Sequence, residues 1–521
     1  MFARLIRPGV KPAAGGGVED PERSTALTDR DAPPVTTVAA TFDYPAAQAI
    51  ERAGDSSGFR VAVIGAGLSG SLLAVHLLQH CRPADRVFLI ESRAGFGRGL
   101  AYSTNNPNHL LNVRAGNMSA FPDRPDHFLS WLQRRARDAD EPEPTADCFV
   151  SRQLYGAYIR SLLADRIWAG GKGRNLVLVP DTAQAITEDG RGFRVVVEVG
   201  RSYPADVVVL AAGHFPPGST LGAYRGNPWD AEAVAKLHAD DSVALIGTGL
   251  TMVDVVQSLL DAGHRGPIVA ISRRGLLPTE HTPTVPLSLA AEDLPRTTSI
   301  TRLTRWLRRR LAVAAVEGTD WRSVVDGLRP HLPDLWRRLP IDERRRFLRH
   351  LRARWDVHRH RMAPEVAAII NAARARGQLT VRAARVVAID ATDESVRLSL
   401  RSRGADVVEA IEVARAINCS GPESDYEATR DPLILNLLGK RLIRPDPLRL
   451  GLDVTEDGAL IAGNGVPSAR LFALGPMTRG TFWEVGAVPD IRLHAARLAT
   501  RIARLRDLAG AARPLGAARR R

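Results

Sequence analysis

The chain has 521 residues, of which 45% are hydrophobic and 25% charged, as is typical of a soluble globular protein with two or three domains. Its formal net charge is +14, and arginine supplies nearly all of the positive charge. The arginines are spread along the chain instead of forming a stripe with interleaved aromatic residues, which argues against nucleic-acid binding. No window approaches the ~18 apolar residues of a membrane span. Three widely separated cysteines give no disulfide framework, so a cytoplasmic protein is expected.

The first strong pattern begins after residues 1–57, which lack hydrophobic periodicity and are predicted to be a disordered N-terminal extension. An apolar run at 61–64 predicts a buried strand, and an apolar-periodic helix follows a glycine turn. A second strand at 87–90 ends on Glu91. The turn consists of Gly65, Ala66, Gly67, Leu68, Ser69 and Gly70.

This order of strand, glycine turn, helix, strand and acid predicts a dinucleotide-binding unit. Gly65 permits the tight turn, Gly67 lets the backbone approach a pyrophosphate, and Gly70 lets the helix pack closely on the strand. The helix N-terminus offers unpaired N–H groups to phosphates. Glu91 lies about 20 residues after the turn, where a carboxylate can accept hydrogen bonds from a ribose diol.

Irregular sequence follows Glu91 in two segments. Gly97, Gly99 and Tyr102 belong to the first, and Asn112 and Met118 to the second, which covers 109–121. Ligand-contacting loops occur at this edge of a nucleotide-binding sheet. The alternative is a packed connecting loop, and the residues alone leave both open.

The opening pattern returns in the second half of the chain. A strand is again followed by a glycine turn, a helix and a second strand, at 242–246, 247–252, 253–260 and 268–272. In this turn Gly247 and Gly249 are kept and Met252 replaces the third glycine. The strands that end at Gly213 in the first half are echoed by strands that end at Gly421. The sequence therefore predicts an α/β protein with two Rossmann-like, three-layer domains.

The second unit carries a helical insertion at about 283–377, with tryptophans at apolar positions and many arginines between them. We interpret it as an accessory helical layer with a solvated basic face, and a docking surface is the alternative. His358 and His360 lie two residues apart on nearly opposite helix faces, so no metal pair is expected. We predict no metal site.

The last structured segment combines a short apolar strand at 471–474, a turn from Gly475 to Glu484 and a helix at about 488–508. A strand, a glycine turn and a helix N-terminus again form a site for an anion. Residues 509–521 are predicted to be a basic mobile tail.

The two glycine turns differ in the charge that follows their second strands. Glu91 suits an unmodified ribose and would repel a 2′-phosphate, which favours FAD at the first site. Arg273 and Arg274 follow the second strand and can bind a 2′-phosphate with charge-assisted hydrogen bonds, which favours NADPH there. The alternative for the two arginines is a solvated loop.

Several motifs together carry a family resemblance that extends from about 59 to 508. They are GAGLSG at 65–70, GRGLAYST at 97–104, HLLNVRAGNMSAF at 109–121, RQLYGAYI at 152–159, GTGLTMVD at 247–254, WDVHRHRM at 355–362, INCSG at 417–421 and GPMTRGTFWE at 475–484. In these motifs the chain resembles the bacterial FAD/NAD(P)-binding oxidoreductase family, whose members are distantly similar to flavin-containing and N-hydroxylating monooxygenases.

The resemblance implies FAD along the first glycine turn, with the isoalloxazine near the 97–121 loops and the 475–484 turn, and NADPH near 247–274. Gly213 would contact the cofactor at a strand end, and Gly475 and Thr481 would do so in the closing turn. Many two-dinucleotide flavoproteins carry an aspartate after the glycine equivalent to Gly475, where this chain has Pro476. Contacts to the ribityl chain would then come from backbone or water.

The leading functional hypothesis is an NADPH-dependent flavin monooxygenase acting on a small-molecule substrate. Asn112 is the candidate for holding the flavin edge, and Tyr102 and Trp483 for packing near the ring. A flavin reductase or dehydrogenase without oxygen insertion is the second hypothesis, and a non-catalytic FAD-binding partner or regulatory protein is the third. The sequence does not identify the substrate or the oligomeric state.

The expected domain order follows from these motifs. It consists of an N-terminal extension, the first part of an FAD-binding domain, an NAD(P)H-binding domain with its insertion, the closing part of the FAD-binding domain and the tail. The corresponding ranges are 1–57, 58–225, 240–421, 422–508 and 509–521.

Overall fold

The computed structural model describes residues 58–92, 95–168, 175–190, 192–215, 218 and 220–511. The predicted N-terminal extension lies outside these residues, as does the predicted tail from residue 512 onward.

The first half of the chain contains the elements β1 to β8 and α1 to α3. In chain order they are β1 (Arg60–Ile64), α1 (Leu68–His80), β2 (Arg86–Ile90), α2 (His127–Asp138), α3 (Arg152–Trp168), β3 (Leu176–Val179), β4 (Ala183–Glu188), β5 (Phe193–Val197), β6 (Ser202–Ala205), β7 (Val207–Leu210) and β8 (Tyr224–Arg225).

The second half contains the elements β9 to β16 and α4 to α12. They are β9 (Val243–Ile246), α4 (Leu250–Asp261), β10 (Ile268–Ser272), α5 (Ile300–Val316), α6 (Trp321–Gly327), α7 (Leu332–Arg338), α8 (Ile341–His350), α9 (Arg352–Arg359), α10 (Pro364–Ala375), β11 (Leu379–Ala391), β12 (Val396–Ser402), β13 (Val408–Val413), β14 (Arg415–Asn418), α11 (Pro432–Gly439), β15 (Ala459–Ile461), β16 (Pro467–Ala473) and α12 (Val488–Ala511).

The first sheet has the strand order β15-β16-β7-β1-β2-β3. Its strands from β16 to β3 run parallel, and β15 joins the edge in the antiparallel direction. β1, β2 and β7 are almost fully buried apolar runs, because helices cover both faces of such a sheet. β16 pairs with β7, so a segment that follows both glycine turns in sequence completes this sheet.

The second sheet has the order β13-β12-β11-β10-β9-β14-β8. It is parallel from β8 to β11, and β11, β12 and β13 form an antiparallel meander at its other edge. The first half has the same arrangement, since β4, β5 and β6 form a three-stranded antiparallel sheet between β3 and β7. The predicted repeat of two Rossmann-like units is confirmed.

The segment predicted as a helical insertion contains two kinds of helix. α10 packs against α4 and β11, with Val366, Ala367 and Ile370 in the core of the second sheet. It therefore acts as the crossover helix that leads into β11. α5 to α9 form a separate layer, in which Trp336 and Phe347 pack with Trp483 of the C-terminal segment.

Candidate functional site

The first glycine turn connects β1, the third strand from the β3 edge, to α1. Gly65 has φ of +100°, in the left-handed region that favours glycine. A Cβ added at Gly65 would overlap the Ala211 carbonyl group, and one at Gly70 would overlap the Gly65 carbonyl oxygen. Both glycines are therefore required by close backbone packing, which is the role that the sequence predicts for Gly70.

Glu91 lies directly after β2 and is tied to the glycine turn. The backbone N–H of Ala66 donates to Glu91 Oε2 at 2.8 Å. α1 begins after Gly67, and this glycine has no side chain to cap the helix N-terminus. Its first N–H groups and the positive end of the helix dipole are thus available to a phosphate, with the carboxylate of Glu91 nearby.

A cavity of about 390 Å³ lies at the carboxyl ends of β1, β2 and β7. Eight of the residues predicted as contacts line it, namely Gly65, Gly67, Leu68, Ser69, Glu91, Gly99, Tyr102 and Gly213. Arg98, Asp181, Thr182, His214, Pro476 and Met477 also line it. The cavity therefore joins the first glycine turn to the closing turn of the C-terminal segment.

A second cavity of about 330 Å³ lies between α7 and α12. Its lining includes acids and arginines that pair with one another, such as Arg329 and Asp490 at 2.8 Å. It is away from both glycine turns, so the first cavity is the candidate dinucleotide site.

Five other predicted contact residues lie outside the cavity lining. Ala66 and Met118 are buried, and a Cβ at Gly97 would press on Arg160. A Cβ at Gly475 would overlap Ser69 Oγ, so the lack of a side chain lets the closing turn approach the glycine turn. The Thr481 hydroxyl donates to the Val454 carbonyl at 3.0 Å. These five positions are not among the residues that line the cavity, and their direct contact with a cofactor stays a prediction.

Tyr102 lines the cavity and packs against Tyr155, with ring centroids 4.9 Å apart. Burial raises the pKa of the Tyr102 hydroxyl well above its usual value, so the phenol stays protonated at neutral pH. Tyr102 therefore offers an apolar ring and a neutral hydroxyl to the cavity.

Asn112 and Trp483 do not line this cavity. The Asn112 carbonyl faces His281 Nε2 at 3.1 Å, which links the 109–121 loop to the chain after β10. The indole of Trp483 packs at 4.9 Å from Trp336 and 5.2 Å from Phe347. Trp483 thus joins the helical layer to the C-terminal segment, and the predicted proximity of both residues to the flavin stays a prediction.

His214 is a site residue that the sequence analysis did not single out. It follows Gly213 at the end of β7 and lines the cavity. The accessible surface of its side chain faces the cavity, and the surrounding protein encloses the cavity. Burial and then the positive charge of Arg479 lower the pKa of His214 to about 4. The imidazole is therefore neutral at pH 7. Its place after a strand-end glycine is the signal that could have identified it.

The second glycine turn connects β9 to α4. Gly247 has φ of +123°, and α4 begins after Gly249 without a side-chain cap. A Cβ at Gly249 would meet no atom of the described residues within 4 Å, so the glycine leaves room for a ligand. The Thr248 hydroxyl donates to Ser272 Oγ at 2.9 Å and so ties this turn to β10, as Ala66 ties the first turn to β2.

The end of β10 carries a cluster of arginines. Arg274 donates to the backbone carbonyls of Arg349 and His350 at 2.9 Å each, at the C-terminus of α8. Burial lowers the pKa of Arg274, and the charges of Arg354, Arg403 and Arg273 lower it further. Arg273 is exposed and makes no ion pair within the described ranges. Arg274 thus has a structural partner, and Arg273 remains accessible to an anion.

The residues at the first site fit FAD. The uncapped helix N-terminus suits a pyrophosphate, Glu91 suits ribose hydroxyls, and the cavity continues from there to Tyr102, His214 and Met477. Among the residues that the structure describes, no group of three or more His, Cys, Asp or Glu side chains could hold a metal ion. Within the same ranges, no helix combines the length and apolar character needed to cross a bilayer.

The fold defines a two-dinucleotide α/β protein, and comparison with known families agrees. Residues 62–215 match the model of a family described as FAD-NAD(P)-binding. No curated protein matches the sequence significantly.

Solved structures with the same fold include an N-hydroxylase and two monooxygenases. The ornithine N-hydroxylase of Kutzneria sp. 744, with reduced FAD, NADP⁺ and L-ornithine, is 16% identical with a TM-score of 0.59, covering 86% of this chain and 99% of that one. The L-lysine 6-monooxygenase of Pseudomonas syringae is 17% identical with a TM-score of 0.55 and the same coverage. The FAD-bound cadaverine monooxygenase of Erwinia amylovora is 13% identical with a TM-score of 0.56, covering 86% and 94%.

Proposed function

We propose that the protein is an NADPH-dependent flavoprotein monooxygenase that hydroxylates a small-molecule amine. The observation that carries this proposal is the contrast between the two glycine turns, with Glu91 beside the first and Arg273 beside the second. This contrast suits FAD at one site and NADPH at the other. The three enzymes with similar structures are an ornithine N-hydroxylase, a lysine monooxygenase and a cadaverine monooxygenase, which supports an amine as the substrate class.

The proposed domain division follows the sheets. Residues 58–225 and 422–508 would form the FAD-binding domain, and 240–421 the NADPH-binding domain. The parallel pairing of β16 with β7 supports the division of the first domain into two segments. β8 pairs with β14 of the second sheet, so the chain crosses between the sheets before Tyr224.

Each cofactor would be held mainly by backbone and charge. The N-terminus of α1 would bind the pyrophosphate of FAD, and Glu91 would accept hydrogen bonds from its ribose. Arg273 would bind the 2′-phosphate of NADPH, and Arg274 would hold the loop in position through the end of α8.

Bound FAD supplies hydride acceptance from NADPH and the activation of O₂, and the protein supplies orientation and exclusion of water. Neutral His214 offers a hydrogen-bonding imidazole to the cavity at the end of β7. Tyr102 and Met477 give the same cavity apolar walls that exclude water.

Stoichiometry tests the proposal. Purified protein would be assayed with NADPH and L-ornithine, L-lysine or cadaverine, under air and under nitrogen, with hydroxylamine product and oxygen uptake both measured. A monooxygenase should consume one O₂ and one NADPH for each hydroxylamine formed with the accepted amine. Sustained NADPH oxidation under nitrogen with a quinone acceptor, and no hydroxylated product under air, would instead identify a reductase.

A further inference from the structure

The segment from Gly475 to Gly486 lies between the candidate FAD cavity and the helical layer formed by α5 to α9. Pro476, Met477 and Gly486 line the cavity. On the other side, Trp483 packs with Trp336 and Phe347 of the helical layer. Trp336 Nε1 donates to the Gly480 carbonyl at 2.8 Å, which fixes the segment against that layer. The segment therefore separates the cavity from the helical layer.

Arg479 is the arginine of this segment. Its guanidinium carbon lies 4.5 Å from the ring centroid of Trp483. Arg352 of α9 lies 5.8 Å from the same centroid. Within the described part of the chain, the side chain of Arg479 makes no hydrogen bond and no ion pair. Two guanidinium groups are thus gathered around one indole, although like charges repel.

The carboxylates near Arg479 are already paired with other arginines. Arg352 Nε lies 3.4 Å from Asp356, and Arg359 Nε lies 3.3 Å from Glu484. Glu484 also accepts from Trp355 Nε1 at 2.8 Å. Three arginines therefore share two carboxylates, and Arg479 is the cation in excess.

The surroundings make this excess charge unfavourable without an anion. Burial, and then the charge of Arg352, lower the pKa of Arg479 to about 10. The nearby cavity residue His214 is neutral at pH 7 and cannot balance the charge. A partly enclosed cation of this kind gains most from an anionic partner.

We propose that Arg479 is a specificity-determining residue that binds a carboxylate of the substrate beside His214. The planar guanidinium can donate two parallel hydrogen bonds to a carboxylate, and stacking on Trp483 limits its orientation. This inference rests on the proposed function, because it assumes that the substrate enters the cavity next to the flavin.

The test compares matched ligand pairs that differ in the anionic group, namely acetate with acetamide, benzoate with benzamide, and L-lysine with cadaverine. Binding to the FAD-loaded protein would be followed through the flavin absorbance at constant ionic strength. A charge-assisted hydrogen bond contributes about 1.5–3 kcal/mol, so Arg479→Gln should weaken binding of the anionic member roughly 10- to 100-fold. Binding of the neutral member should change little.

Three controls keep the outcome decisive. Arg479→Lys keeps the charge and should retain part of the affinity, and its thermal unfolding shows whether packing on Trp483 is intact. Arg497→Gln removes an exposed arginine of α12 and should leave anion binding unchanged. Reduction of the flavin by NADPH under nitrogen reports on the proposed function alone, so its absence in the wild-type protein would contradict the proposed function and not this inference.

Two results would overturn the assignment. In the first, no anionic ligand binds better than its neutral partner to the wild-type protein. In the second, Arg479→Gln lowers the flavin reduction potential without changing any anion affinity, which would show that the charge serves the reduced flavin instead of the substrate.

Discussion

Arg152 and Asp254 form a buried ion pair, with Nη1 of the arginine 2.9 Å from Oδ2 of the aspartate. Arg152 begins α3 of the first half, and Asp254 belongs to α4, which follows the second glycine turn. The same arginine donates to the Leu110 carbonyl at 3.1 Å. The pair therefore links the 109–121 loop, α3 and the second dinucleotide unit.

We expect Asp254→Asn to destabilise the protein, because the change leaves the charge of Arg152 buried without its partner. Breaking a buried ion pair in this way costs about 3–5 kcal/mol. Asp240→Asn is the matched control, since its pair with Arg265 is exposed and screened by solvent, so the loss of stability should be small. Urea unfolding followed by circular dichroism would measure the free energy of unfolding of both variants. An equal decrease in the two variants would contradict a special role for the buried pair.

Glu91→Gln should weaken FAD retention. The change removes the negative charge next to the first glycine turn while keeping a side-chain oxygen that can accept from Ala66. A hydrogen bond to a charged group contributes about 1.5–3 kcal/mol, so the dissociation constant of FAD should rise roughly 10- to 100-fold. Flavin fluorescence after dilution would measure the dissociation constant of FAD. The control is Glu317→Gln, at an exposed position. An unchanged dissociation constant would remove Glu91 from the site.

Arg273→Ala should raise the KM for NADPH roughly tenfold or more and leave the KM for NADH nearly unchanged, because only NADPH carries the 2′-phosphate. Arg274→Ala should instead lower the melting temperature, because it removes two hydrogen bonds to the C-terminus of α8. Exposed Arg265→Ala, at the opposite end of β10, is the control for charge alone. Equal effects of Arg273→Ala on both cofactors would contradict the assignment of NADPH.

Stability should fall as the pH falls from about 6.5 to about 4. Burial lowers the pKa of His281 and of His494 from 6.5 to about 4. In this window the unfolded chain binds protons that the folded chain does not, so the free energy of unfolding rises with pH. His494→Gln should reduce the slope of the free energy of unfolding against pH. Chemical denaturation at a series of pH values measures it, and a flat profile between pH 4 and 6.5 would show that these histidines titrate alike in both states.

The two glycine turns could be predicted because their signals are local. A short apolar run, glycines with fixed spacing and a helical period are visible in a single stretch of sequence. The strands before and after Gly65 and Gly247 are confirmed. The long helix predicted at 488–508 is also confirmed and extends to Ala511.

Other elements could not be read from local pattern. β13 is mostly exposed and has weak alternation, and the outer half of β11 is exposed as well, so neither shows the regular pattern of a half-buried strand. α10 has a helical period like the helices of the insertion before it, and its packing on α4 is set by tertiary structure.

Side-chain roles were the least predictable. The sequence shows that Arg273 and Arg274 are charged, and only the fold shows that one of them caps α8. It shows that Trp483 is aromatic, and only the fold places it among Trp336 and Phe347. His214 was overlooked because its low pKa depends on burial and on Arg479, which is distant in sequence.

The most direct test of the central claim is an anaerobic titration of the purified protein with NADPH and with NADH, followed by visible absorbance. We predict that the protein carries an oxidised flavin spectrum, that about one equivalent of NADPH bleaches it, and that NADH does so only at much higher concentration. A protein without bound flavin after reconstitution with FAD, or a flavin that neither nucleotide bleaches, would contradict the assignment of the two sites.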